Sequence, residues 1–213
     1  MTTKKTAELP VCEWDGYCWS TRIAFREWPK NLDAWVEMVP PARSSTGEPA
    51  PPSEEQAKAL AFLTSPGNKI GAALLEAAKK YHALCVTRGF ENKDGTKLQP
   101  IRKPAELNKM LQLGTIHIHA IARAKHAYVG MGFHCAWDRE HAFGVMLHKR
   151  RVVSAGGADH AILEWIAARD GGVQPGEAKK PAAKKAAPKK PAPKKPAAKK
   201  PKPAAKKLVA KKR

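Results

Sequence analysis

Cysteine is scarce and unpaired: Cys12, Cys18, Cys85 and Cys135 are the only four in 213 residues, and no two stand in a C-x-x-C spacing. That pattern offers neither a dense disulfide framework nor a zinc ribbon, and it predicts reduced thiols. No stretch approaches the ~18 consecutive apolar residues of a spanning helix. Met1–Pro10 is charged where a secretion signal needs an apolar core. The expected location is therefore cytoplasmic, with no membrane span. Acidic residues are missing altogether from Ala178 to Arg213, although those 36 residues hold 15 lysines and one arginine. Sixteen of the formal +20 charges thus sit at the C-terminus, and the preceding 177 residues, with 23 basic and 19 acidic side chains, carry only +4. The extreme basicity belongs to the tail and not to the fold.

Composition divides the chain into a flexible start over residues 1–13, one domain over 14–172 and a basic tail over 173–213. Within the domain, Trp14-Asp15-Gly16-Tyr17 reads as a turn into a strand over Cys18–Phe25, with Trp28 and Trp35 following. Prolines crowd the segment 40–52 and mark an exposed loop. Ser53-Glu54-Glu55-Gln56 has capping-box spacing and predicts a helix through about Leu63. Ile70, Leu74, Ala77, Ala78, Tyr81, Leu84 and Cys85 then keep helical spacing up to a stop at Gly89, and Pro104–Leu111 makes a short helix. Period-two patterning follows: Thr115–Ile121, Ala127–Trp137, Ala142–His148 and Arg151–Ala155 predict a four-strand antiparallel meander, closed by Gly156-Gly157 and a helix over Ala158–Ala168. Lys149-Arg150 falls at a two-residue turn, where glycine would suit Arg150's place better. The expected fold is α+β: an antiparallel sheet, built from the N-terminal strand region and the C-terminal meander, packed with three to four helices.

In the tail, lysines recur as the pairs Lys179-Lys180, Lys184-Lys185, Lys189-Lys190, Lys194-Lys195 and Lys199-Lys200, then as Lys202, Lys206, Lys207, Lys211 and Lys212 before Arg213. Alanine and proline between them cannot build a core, and like charges repel, so the tail is expected to be disordered. Lysine neutralises phosphates without reading bases, and the tail has no aromatic residue to stack on one. These 16 side chains are the expected nucleic-acid contacts, with DNA and a nucleoid association as the simplest reading. In composition, as in Lys194-Lys195-Pro196-Ala197-Ala198-Lys199-Lys200, the tail resembles those of linker histone H1 and of bacterial histone-H1-like proteins. The competing reading is a solubilising extension with no dedicated partner.

Trp137-Asp138-Arg139-Glu140-His141, followed by Gly144-Val145 and Gly156-Gly157-Ala158-Asp159, resembles an uncharacterised family of bacterial domains, domain of unknown function 6985, over about residues 14–167. The resemblance implies a fold and no chemistry. A loose association of similar small domains with toxin-immunity proteins supplies an alternative role as a protein-binding domain.

Asp138, Glu140 and His141 could gather as an acid/base cluster at their turn, or the acidic side chains could accept backbone amides there while Trp137 anchors the turn in the core. His117 and His119 share one strand face and are the metal candidates, with His134, Cys135 and His141 nearby in sequence, but the spacing fits no standard zinc pattern. His134 and Cys135 should point to opposite faces. Gly130-Met131-Gly132 does not open a helix, so it predicts a strand bend or close packing rather than a nucleotide loop. Trp14, Trp19, Trp28 and Trp35 read as core and edge cover of a small sheet rather than a ligand cage. The favoured expectation is a nonenzymatic binding or adaptor domain without a cofactor, contacting an unidentified protein and tethered to nucleic acid by its tail. An immunity-like binding domain is the alternative, and an enzyme or metal-binding domain the third.

Overall fold

The computed structural model describes residues 10–28, 32–40, 49–92, 94–138 and 140–173. Every lysine expected to meet nucleic acid lies outside the described residues, as do residues 1–9 of the expected flexible start. Val11 and Cys12, from that same start, belong to the sheet margin: Thr21 Oγ1 donates to the Val11 carbonyl at 3.0 Å, and Cys12 packs against the core.

Seven strands form one sheet in chain order: β1 (Glu13–Trp14), β2 (Trp19–Phe25), β3 (Leu32–Met38), β4 (Leu111–Arg123), β5 (His126–Cys135), β6 (Phe143–His148) and β7 (Arg151–Gly156). The expected α+β class and C-terminal meander are both present. One neighbouring pair departs from the expected antiparallel sheet, because β3 and β4 run parallel, with Glu37 opposite His117. A parallel pair needs a long crossover. Helices α1 (Glu54–Thr64), α2 (Ile70–Thr87) and α3 (Leu107–Met110) lie within it.

The capping box at α1 also fastens this crossover. Ser53 Oγ accepts from the Gln56 amide at 3.2 Å, and Gln56 Oε1 accepts from the Ser53 amide at 2.9 Å. Gln56 is fully buried, and its Nε2 donates to the carbonyls of Val39 at 2.7 Å and Ile118 at 3.1 Å. One side chain thus starts a helix and ties it to the end of β3 and the middle of β4, leaving no polar atom of the glutamine stranded.

Strand alternation sorts the core into two layers. Phe25, Val36, Ile118, Met131 and Val145 join the α1 and α2 residues Leu60, Leu63 and Leu74 on one face. Tyr128 and Met146 on the other face pack against Ile166 and Ala167 of α4 (Glu164–Gly171). β6 is therefore buried on both faces, which is why Phe143–His148 reads as an almost continuous apolar run.

Several local expectations are corrected. Leu84 is 42% exposed because its side of α2 lines a groove along the edge strand β7, and His82 is buried instead, against Trp137. β5 ends at Cys135, short of Trp137, and β4 begins at Leu111, ahead of Thr115. The expected continuous helix over Ala158–Ala168 is a 3-10 turn at Ala158–Ala161 followed by α4, with Leu163 capping the second helix. That turn lies flat on the sheet over Gly130 and Gly144: a Cβ on Gly130 would come within 1.7 Å of the Ala161 carbonyl oxygen. In the β6–β7 turn the left-handed residue is Lys149, with φ 56°, and Arg150 instead donates from Nε to the Asn68 carbonyl at 2.8 Å. Among the described residues no helix is long and apolar enough to cross a membrane.

Candidate functional site

Trp137 is buried after the end of β5, with the ring of His82 packed edge-on against it at 4.8 Å. This anchors the turn that follows. Asp138 is buried beside it, and its Oδ1 accepts the His141 amide at 2.9 Å and lies 3.2 Å from His141 Nδ1. Its Oδ2 accepts the phenolic hydrogen of Tyr81 at 3.0 Å. The turn is also joined to the motif's second half, since the Ala158 amide donates to the His141 carbonyl at 2.7 Å. Asp138 and His141 are therefore brought together, whereas Glu140 is exposed and makes no hydrogen bond or ion pair among the described residues. A carboxylate holding a backbone amide, a phenol and an imidazole is occupied in fixing the turn. The acid/base triplet is not assembled around one point.

His117 and His119 lie on the same side of β4, but each has its own partner. His117 Nδ1 is 3.0 Å from Glu37 Oε2, and Glu37 Oε1 accepts from Trp35 Nε1 at 3.1 Å. The Arg22 guanidinium sits 5.5 Å from the centre of the Trp35 ring. Burial lowers the His117 pKa, and Glu37 opposes that shift. His119 is almost fully enclosed, and its Nε2 lies 2.9 Å from the Ala161 carbonyl. A carbonyl accepts, so Nε2 carries the proton and Nδ1 is left without a partner. Burial pushes the His119 pKa down to about 4. Among the described residues no three His, Cys, Asp or Glu side chains converge as metal ligands. His134 is exposed and Cys135 buried, on opposite faces as alternation predicts.

The remaining chemistry is subdued. Burial raises the pKa of Cys85, and pushes Cys135 up to about 12, so both thiols stay protonated and weakly nucleophilic. Gly130 serves close packing, as expected, by admitting the Ala158–Ala161 turn. Of the four N-terminal tryptophans, Trp28 is core, its ring tilted against that of Phe133 at 4.9 Å, while Trp14 of the edge strand β1 pairs with Trp19 of β2 at 5.5 Å. Two hollows open on the surface, one of about 410 Å³ between α2 and β7 and one of about 470 Å³ beside Lys109, Gln112 and His134. Neither is lined by Asp138, Glu140 or His141.

Arg22 and Glu37 were not singled out from the sequence, and Trp35 was read only as cover for the sheet. Alternation of Ala34, Val36 and Met38 into the core does place Trp35 and Glu37 on the opposite face. Only the parallel register brings Glu37 beside His117.

No curated protein and no solved structure matches the chain. Residues 12–163 match the model of the family described as Domain of unknown function (DUF6985), a span that contains the sheet and the Trp137–His141 turn and stops at the start of α4. The chain belongs to the DUF6985 family.

Proposed function

We propose that the protein is a nonenzymatic binding protein whose C-terminal 36 residues hold it on nucleic acid by neutralising phosphates while the folded domain contacts a protein partner. The observation that carries this reading is the placement of charge, with 16 of the formal +20 in residues 178–213 against +4 for everything before them. It is supported by the commitment of Asp138, Tyr81, Glu37 and His119 to internal bonds. Lysines without aromatic neighbours favour backbone neutralisation without sequence preference, and DNA is the expected polymer in a nucleoid setting.

The test is duplex DNA and RNA binding by the full chain and by residues 1–177 across a salt series. The full chain should bind with log K falling steeply against log salt, at a limiting slope of roughly −14 if all 16 charges engage duplex phosphates. Residues 1–177 should bind little. Equal binding by the two chains would move the nucleic-acid contact to the folded surface, and no binding by either at low salt would remove it.

A further inference from the structure

β7 is the last strand of the sheet, and its outer backbone groups have no backbone partner among the described residues. Beside it runs the groove of about 410 Å³, floored by Val152 and Ala155 of β7 and walled by α2. Ala73, Ala77, Lys80 and Leu84 line it at intervals of four, three and four residues, the spacing of a helix face that receives another helix. Two features of this face are unfinished within one chain. Leu84 is 42% exposed, while Ala73 and Ala77, with minimal side chains, leave the hollow beside it. Glu76 and Lys80 approach only to 3.9 Å and remain mostly exposed, so both charges are available to a neighbour.

We propose that this face docks a second copy of the chain, with α2 packed antiparallel on α2 across a two-fold axis. A two-fold passing midway along the segment 73–84 sets Leu84 of each copy against the Ala73–Ala77 hollow of the other. The same axis sets Glu76 of each copy against Lys80 of the other, so the single intrachain contact is replaced by two reciprocal ones. This self-complementarity of shape and charge is what an isologous contact requires. β7 does not extend the sheet in the usual way, because the irregularity between Met146 and Leu147 leaves Val153 as an extra residue and breaks the outer row of the edge. Side chains of α2 therefore carry the contact, and it closes as a dimer rather than growing. The inference does not depend on the reading of the tail.

Sedimentation velocity of the full chain over a concentration series reads this directly. A monomer–dimer equilibrium is expected. Leu84→Lys, at an exposed position, should weaken it by about tenfold or more. Glu76→Lys should weaken it by setting lysine against lysine, and adding Lys80→Glu should restore it, because the swap rebuilds both reciprocal pairs. Thermal melts of each variant at the lowest concentration confirm that the fold is intact. A monomer at every concentration overturns the proposal, as does a dimer indifferent to Leu84→Lys or a double swap that fails to restore association. The last two results would give the groove to a different occupant, such as an apolar peptide.

Discussion

Tyr81, in the middle of α2, donates its phenolic hydrogen to Asp138 Oδ2 across 57 residues of sequence, while Asp138 Oδ1 holds the His141 amide. One buried carboxylate therefore joins the long helix to the turn between β5 and β6. Tyr81→Phe should leave Oδ2 without this donor and cost about 1–3 kcal/mol, read as a lower urea midpoint. Asp138→Ala removes every one of these bonds and should cost more. Glu140→Gln, at an exposed position, should change stability by less than about 0.5 kcal/mol. If Glu140→Gln were the costliest of the three, the turn would not be organised around Asp138.

Gly130 and Gly132 are two residues apart on β5 and make a controlled pair. An added Cβ at 130 meets the Ala161 carbonyl oxygen at 1.7 Å, whereas at 132 it comes no closer than 3.8 Å to an atom beyond its chain neighbours, the Thr115 carbonyl oxygen. Gly130→Ala should lift the Ala158–Ala161 turn off the sheet and destabilise by more than about 3 kcal/mol. Gly132→Ala should be tolerated. Chemical denaturation of both variants checks the contrast, and equal losses would contradict it.

His119 gives the fold a dependence on mild acid. Its pKa falls from 6.5 to about 4 on folding, so the unfolded chain takes up a proton first as the pH drops. Stability from this group is complete above pH 6.5 and is lost progressively down to about pH 4, by on the order of 3 kcal/mol. Burial lowers His117 in the same direction. Urea midpoints measured across that window should fall with pH, and His119→Gln, which can still donate to the Ala161 carbonyl, should flatten the slope. An unchanged slope in the variant would assign the acid sensitivity elsewhere.

Asp170 fastens the end of α4 to the strands beneath it. It accepts from Tyr128 at 2.6 Å and from Arg151 at 3.0 Å, and Arg123 reaches both its carboxylate and its carbonyl. Arg151 and its neighbours hold the carboxyl well below the usual carboxylate range. This stabilisation is present above the ordinary aspartate pKa of 3.8 and disappears as the pH falls below it, a lower window than that of His119. Asp170→Asn should speed amide exchange across α4 and lower the melting temperature, with a smaller difference at high salt. Unaltered exchange in α4 would show that the apolar contacts of Ile166 and Ala167 hold the helix alone.

What could be read in the sequence was what local rules control. Ser53 and Gln56 announced α1 because their bonds lie within one turn, and the last four strands showed their period because their pairings are between neighbours in sequence. The parallel contact of Val36 with Ile116 depends on a crossover whose end point no local pattern specifies. Leu84 has the right helical spacing for the core, but its fate depends on where the sheet stops. In the candidate site, the turn role of Asp138 followed from residue chemistry, whereas the Tyr81 partner and the Glu37–His117 pair arise only when distant segments meet.

The parallel pairing of β3 with β4 also sets an order of events during synthesis. The N-terminal strands leave the ribosome about 80 residues before the strand they must join, a delay of roughly 4–16 seconds at ordinary elongation rates. Throughout that interval Val36 and Met38 lack Ile116 and Ile118 beside them, and the edge that β4 will cover is open to other chains. Gln56 emerges early in this gap, yet one of its two carbonyl partners, that of Ile118, arrives only at its close. Completion of the sheet thus waits on the second half of the domain, and a chain truncated before β4 is a chain with an aggregation-prone edge.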